Sequence, residues 1–454
     1  MGLQRYTQHS LCVGLLFLII YGYYILLAGD GNAFDPYVRY GRILTWAMYI
    51  PRICTYFVLT FAFGNLLGIV CFNTFPESPR LKKSPLLIPF VCFRVVTRGL
   101  FPELVKDNID RNIGLCETVG LQHFMFEVVT DMPINLAKNR RLREIVVPHN
   151  YSTSQGSLYK ARALQYCLEP EINCLGNNDW IVHLDEETVL TEDSIVGIVN
   201  FIAEGKHHFG QGSIVYTKDK IVNWITTLID SVRVGVDYGV LRFCLKALNR
   251  PFFSWKGSFI VANAAAEMDV SFNHGPEASV AEDSFFAMMA TTKGYTFGFV
   301  DGEMWERSTF SMMDFLRQRR RWLLGIIMAA LSSKIPIRHK VGLILMSISG
   351  LTLPIVTFGL FLGFIYPLPS WGGIHPLICS PLGTFLFLYI FGTIKSFSLK
   401  RIGYLKFALI IISTIGCAVI AIILESIAAF WVWFSRGQIA FQIVQKDPTR
   451  KTMV

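Results

Sequence analysis

Charge is scarce in this chain. Of its 454 residues only 17% are Asp, Glu, Lys or Arg, against 52% apolar, a balance too greasy for an ordinary soluble protein of this length. The ten cysteines include no C-x-x-C pair, so neither a zinc site nor a disulfide framework is suggested, and reduced, buried thiols are expected. No internal repeat and no low-complexity tract is present, which leaves no repeat architecture to consider.

Apolar runs are abundant instead. They cover Leu11 to Ala28, Trp46 to Phe72, Val341 to Tyr366, Pro376 to Ile394 and Leu405 to Phe434, and most exceed the roughly 20 residues that take a helix across a hydrocarbon core. Arg5 precedes the first run, but its length and the closeness of the second read as an uncleaved anchor rather than a signal peptide. The expected organisation is two N-terminal spans over 1–72, a globular domain over 73–322, an interfacial helix (Leu323 to Ser333) and loop over 323–340, about three spans over 341–434, and a tail over 435–454. The middle segment is long enough for one substantial α/β core.

Lys and Arg set the orientation. The loop between the first two spans is nearly balanced (Asp30, Asp35, Arg39, Arg42), whereas Arg80, Lys82 and Lys83 follow the second, so the globular domain is expected in the cytosol. Lys395, Lys400, Arg401 and Lys406 between later spans agree. Topology thus accounts for the net charge of +9 without a nucleic-acid partner. The sequon Asn150-Tyr151-Ser152 would stay bare on that side, so its modification state reports topology. Three late spans would leave the C-terminus in the lumen, whereas Gln442 to Lys446 has the look of a cytosolic segment; either the Leu405 to Phe434 run folds back or a span is re-entrant.

Within the globular domain strand and helix alternate. Leu87 to Val96, Phe124 to Thr130, Arg143 to Pro148 and Trp180 to Leu184 read as strands, and Glu103 to Cys116 and Ser157 to Leu168 as helices. That alternation predicts an α/β, Rossmann-like, mostly parallel sheet with its ligand site at the carboxyl ends of the strands.

Three charged clusters stand at informative places. Asp185-Glu186-Glu187 directly follows an apolar strand, and acids at i, i+2 can turn toward one Mn²⁺ or Mg²⁺, hard cations that prefer oxygen; the alternative is an acidic helix start, a role better suited to Glu192 and Asp193. Glu282 and Asp283 lie about a hundred residues on, after the turn signal Gly275-Pro276. Asp283 is the candidate general base for an attacking hydroxyl, against the plainer reading of a paired acid opening a helix. Gln318-Arg319-Arg320-Arg321-Trp322 precedes the return to the bilayer; it reads as a positive-inside anchor or as a guanidinium grip on a diphosphate beside an indole for a sugar face. Thr97, Arg98 and Asp131, at strand ends, are placed for a nucleotide, or are simple turns. Lys160, on a helix, can reach a donor or be solvated. Trp255 and Lys256 suit an acceptor, with a packed aromatic and a plain turn as the alternatives.

The order of these clusters, with Gln-x-x-Arg-Trp the most specific, resembles glycosyltransferase family 2, which contains the cellulose, chitin and hyaluronan synthases. Stretches such as Phe93-Arg94-Val95-Val96-Thr97-Arg98-Gly99 and His183-Leu184-Asp185-Glu186-Glu187-Thr188 resemble, within it, invertebrate β-1,4-mannosyltransferases. The resemblance implies a GT-A type domain and inverting transfer from GDP-mannose to glucosylceramide in glycosphingolipid synthesis, in the Golgi or endoplasmic reticulum membrane. It implies Asp185 and Glu187 at the metal and donor, Asp283 beside Glu282 as the base, Thr97 and Asp131 facing the nucleotide, and Arg321 and Trp322 at the diphosphate and acceptor sugar. One departure is Asp185-Glu186-Glu187 where the family has Asp-x-Asp. Other readings are a processive polysaccharide synthase, a dolichol-phosphate sugar or ceramide glucosyl transferase, and a transporter or scaffold. For a transporter the spans are poor in ionisable residues, with Glu425 nearly alone, read here as a break or interfacial end.

Overall fold

The computed structural model describes residues 2–28, 34–136, 139–218, 221–369 and 375–435. Helix α1 (Gly2–Ala28) is followed by α2 (Pro36–Cys54), which Asp35 opens by accepting the Tyr37 amide at 2.8 Å. A single 3₁₀ turn, Thr55–Val58, joins it to α3 (Leu59–Cys71).

The α/β unit then runs β1 (Val91–Thr97), α4 (Pro102–Val119), β2 (Phe124–Thr130), β3 (Leu142–Val146), α5 (Tyr159–Tyr166), β4 (Trp180–Asp185), α6 (Glu192–Glu204) and β5 (Phe209–Val215). It continues through α7 (Trp224–Val236), α8 (Arg242–Ala247), β6 (Ile260–Asn263), α9 (Ala264–Val270), α10 (Glu282–Thr292) and β7 (Phe297–Trp305). The first strand starts later than its apolar run suggests because Pro85–Leu87 form a 3₁₀ turn capped by Ser84; proline has no N–H to give a ladder.

The seven strands lie in the order β3-β2-β1-β4-β6-β5-β7. Only β6 is antiparallel, pairing that way with both β4 and β5. The carboxyl ends of β1, β2, β4 and β7 therefore share one edge, and the chain entering β6 arrives at that same edge, bringing Lys256-Gly257-Ser258 with it. Apolar side chains fill both faces of the sheet; Phe93 and Phe126, for example, stack with centroids 4.8 Å apart.

One polar cluster interrupts this core. Arg94, 1% exposed, pairs with Glu127 (2.7 Å) and Glu267 (3.0 Å), and His183 Nε2 lies 2.5 Å from Glu267. Every buried charge is partnered, as it must be to avoid a large desolvation cost. The cluster ties β1, β2 and β4 to α9 beneath the acidic strand end.

After β7 come α11 (Met312–Leu331), α12 (Ile337–Ile365), α13 (His375–Ser396), the short α14 (Leu399–Ile402) and α15 (Tyr404–Trp433). Among the described residues five helical segments are long and apolar enough to cross a membrane: Leu3–Leu27, Pro36–Cys71, Ile337–Ile365, Pro376–Ser396 and Tyr404–Trp433. The fourth is the most enclosed, because α13 packs on both α1 and α7.

Three expectations are corrected here. Leu405 to Phe434 neither folds back nor breaks: α15 is one continuous helix, and Glu425 within it is an ion-pair partner of Arg319 (3.5 Å) rather than an interruption. The helix expected from Leu323 begins at Met312, capped by Ser311, so the arginine cluster is helical. All ten cysteines are thiols, but Cys71 and Cys174 are exposed. Gln442 to Lys446 lie outside the described residues.

Candidate active site

At the shared edge of the sheet is a cavity of about 720 Å³, within the size range of ligand clefts. Its wall contains every residue that the resemblance or the strand-end reading assigned to the site: Thr97, Arg98, Asp131, Lys160, Asp185, Glu187, Trp255, Lys256, Glu282, Asp283, Gln318, Arg321 and Trp322. The helical residues face it for a simple reason. Positions 318, 321 and 322 are i, i+3 and i+4 on α11 and share one face, while Arg319 is not part of the wall and pairs with Asp230 at 2.6 Å.

Asp185 ends β4 in register with Val96 of β1. Lys160 Nζ sits 2.7 Å from Asp185 Oδ1, 3.0 Å from the Gly257 carbonyl and 3.9 Å from Glu282 Oε1. Burial alone would lower the lysine's pKa, but Asp185 and Glu282 outweigh it and hold it above the usual value. Glu186 is buried and accepts a hydrogen bond from Thr97, with its carbonyl held by Asn108 (2.9 Å); Glu187 is half-buried at the wall. Among the described residues no three His, Cys, Asp or Glu side chains form a metal cage. Two carboxylates at a cleft wall nevertheless suit Mg²⁺ or Mn²⁺, whose shell is commonly completed by substrate phosphates and water.

Glu282 and Asp283 form the first turn of α10. Asp283 Oδ1 accepts the Ser284 amide at 2.6 Å. Burial first, and the Glu282 carboxylate second, raise its pKa to about 7, against the opposing charges of Lys160 and Arg321. A carboxylate so tuned can hold or release a proton near neutrality.

The nucleotide-type candidates cluster at the far wall: Arg162 pairs with Asp131 at 2.9 Å, and Arg98 approaches it at 3.9 Å. Trp255 and Lys256 line the cavity while each is also held by the protein. The Trp255 ring is 3% exposed and meets Phe297 edge-on at 4.9 Å, and Lys256 is bound to Asp237 at 2.6 Å. Trp322 has the Arg319 and Arg233 guanidinium groups 4.4 and 4.8 Å from its ring centroid. Trp255 Nε1, Thr309 Oγ1 and Gln318 Oε1, all on lining residues, are buried with no hydrogen-bond partner among the described residues. Such an atom costs about 1–3 kcal/mol.

Sequence reasoning missed Asp230, Arg233, Asp237, Glu306 and Arg307, which also line the cavity. The first three are i, i+3 and i+7 along α7 and its continuation, a polar stripe on an otherwise apolar helix. Glu306 and Arg307 follow β7, where the strand-end rule would have found them. Burial, then the Asp185 carboxylate, raise the Glu306 pKa.

Comparison with known proteins places the chain by sequence. The chain is 46% identical over 448 residues to the β-1,4-mannosyltransferase egh of Drosophila melanogaster, covering 97% of this chain and 98% of that one. It is 48% identical over 414 residues to the β-1,4-mannosyltransferase bre-3 of Caenorhabditis elegans, covering 91% of each. Of solved structures, the mannosyltransferase PcManGT from Pyrobaculum calidifontis in complex with GDP-Man and Mn²⁺ matches 85% of this chain and 99% of its own at 15% identity and a TM-score of 0.48. The sequence profile of Glycosyl transferase family group 2 matches residues 180–444, from the acidic strand to beyond the last span. The chain belongs to the family 2 glycosyltransferases.

Proposed function

We propose that this chain transfers mannose from GDP-mannose to the glucose of glucosylceramide, with inversion, at the cytosolic face of the Golgi or endoplasmic reticulum membrane. The observation that supports it most is the meeting of Asp185, Asp283 and Arg321, from three distant parts of the chain, around one cavity beside helices able to span a bilayer. The mannosyl group and the β-1,4 linkage follow the names of its relatives, and GDP as the sugar's carrier follows the resemblance set out above. The acceptor follows the resemblance set out above. The catalytic domain keeps the boundaries 73–322 in this reading.

Asp283 takes the proton of the attacking hydroxyl as that oxygen bonds to the anomeric carbon and the bond to GDP breaks. Asp185 and Glu187 would hold the Mn²⁺ or Mg²⁺, which when bound neutralises charge on the departing diphosphate. Arg321 offers the same oxygens a planar, permanently charged donor. Thr97, Arg98 and Asp131 face the nucleotide, Lys160 stands between the two acidic clusters, and Gln318 and Trp322, with the loop of Trp255 and Lys256, border the acceptor. Among the described residues three candidate spans follow Trp322, which favours single addition over polymerisation; one added hexose in the product, rather than a ladder, tests this.

A raised carboxylate is protonated below its pKa and idle as a base there. The rate kcat/KM should therefore rise with pH through about 7, the value for Asp283, and then level off. A flat profile from pH 5 to 8 in buffered initial-rate assays would remove Asp283 as the base.

Gly257 is a tight spot in this machinery. A Cβ there would lie 3.2 Å from Asp283 Oδ2 and 3.3 Å from Lys160 Nζ. Gly257→Ala should reduce kcat roughly tenfold by displacing the base, with the unfolding temperature little changed; steady-state kinetics beside a melting curve checks both.

A further inference from the structure

We infer that Glu306 is a positioning residue for Asp185, acting through the hydroxyl groups of Thr188 and Ser258; this rests on the donor-site role proposed above for Asp185. Glu306 is 7% exposed and lines the cavity, yet the mechanism gives it no task.

The hydrogen bonds form a directed chain. Thr188 Oγ1 donates to Glu306 Oε1 at 2.7 Å. A hydroxyl carries a single proton. With that proton committed to the carboxylate, the Thr188 lone pairs are left for the Asp185 N–H at 3.2 Å and the Ser258 hydroxyl at 2.9 Å. Ser258 Oγ is itself 3.3 Å from the Asp185 N–H. The turn is closed at its other end by the Thr188 amide on the Asp185 carbonyl, 3.0 Å. Without an acceptor at position 306 the Thr188 proton is free to swing toward the Asp185 N–H, setting donor against donor and loosening the turn that presents Asp185 and Glu187.

Glu306 itself is anchored independently. Val189 and Trp305 exchange backbone hydrogen bonds at 2.8 and 2.9 Å, and the Glu306 amide reaches the Val215 carbonyl at 3.1 Å. Changing the side chain therefore leaves the strand end attached.

The test uses the full-length protein in lipid nanodiscs with GDP-mannose, glucosylceramide and Mn²⁺, and follows Mn²⁺-dependent GDP binding by calorimetry in parallel. Glu306→Ala and Thr188→Val should each lower kcat/KM for the nucleotide sugar about ten- to a hundredfold, as loss of an orienting group behind a ligand does. GDP binding should weaken too, while KM for the lipid stays put. Glu306→Gln, which keeps an acceptor oxygen, should recover most of the loss, and the double variant should be no worse than either single one. Multiplying losses, wild-type donor kinetics in Glu306→Ala, or a Glu306→Gln as impaired as Ala would overturn the assignment. If Glu306→Ala does not fold, Thr188→Val against Glu306→Gln decides in the same terms. A wild type that binds GDP but transfers no mannose would refute the proposed function instead, and the binding series would still judge Glu306.

Discussion

Asp283→Asn should lower kcat roughly a thousandfold, within the range that a positioned general base contributes, and leave GDP binding and thermal stability near wild type. Asparagine is nearly isosteric and its carbonyl oxygen can still accept the Ser284 amide that Asp283 accepts at 2.6 Å, so the first turn of α10 keeps its geometry. What disappears is the site for the proton of the attacking hydroxyl. Glu282, the neighbouring acid, already approaches Lys160 at 3.9 Å and is not expected to take over. Initial rates with saturating substrates, set beside calorimetric GDP binding, separate loss of chemistry from loss of structure. An active Asn variant would mean that another group accepts the proton.

Arg321→Ala should cost about a hundred- to a thousandfold in kcat, the usual effect of deleting one donor aimed at developing charge. Arg321→Lys should fall between, because an ammonium keeps the charge but not the planar two-pronged donor. The helix itself should tolerate both changes, since the structural cation of this cluster is Arg319: it is 9% exposed and held by Asp230 at 2.6 Å and Glu425 at 3.5 Å. Kinetics of the two variants at several Mn²⁺ concentrations provides the check, and equal activity in Ala and Lys forms would deny Arg321 a part in leaving-group stabilisation.

Asp185 and Arg321 were legible from sequence because local rules place them. Asp185 closes an apolar run of strand length, and a strand end in a parallel sheet faces the ligand edge. Gln318, Arg321 and Trp322 share a helical face by spacing alone. Residues placed by long-range packing were not legible. Arg233 and Asp230 reach the cavity only because α7 packs against α13. Lys256-Gly257-Ser258 was legible only from its place between the two acidic clusters; it arrives at the cavity because β6 runs antiparallel to its neighbours. Trp255 has the composition of an acceptor platform, but its ring is claimed by Phe297 and the core below. Glu425 looked like a flaw in a span because its partner, Arg319, is more than a hundred residues away in a cluster that has another purpose.

The account depends most directly on the product formed. Purified full-length protein incubated with glucosylceramide, Mn²⁺ and each of a panel of nucleotide sugars, with products read by mass spectrometry, should add a single hexose from GDP-mannose alone, with a β-1,4 linkage. Transfer from another nucleotide sugar in preference to GDP-mannose, or a ladder of added sugars, would contradict it.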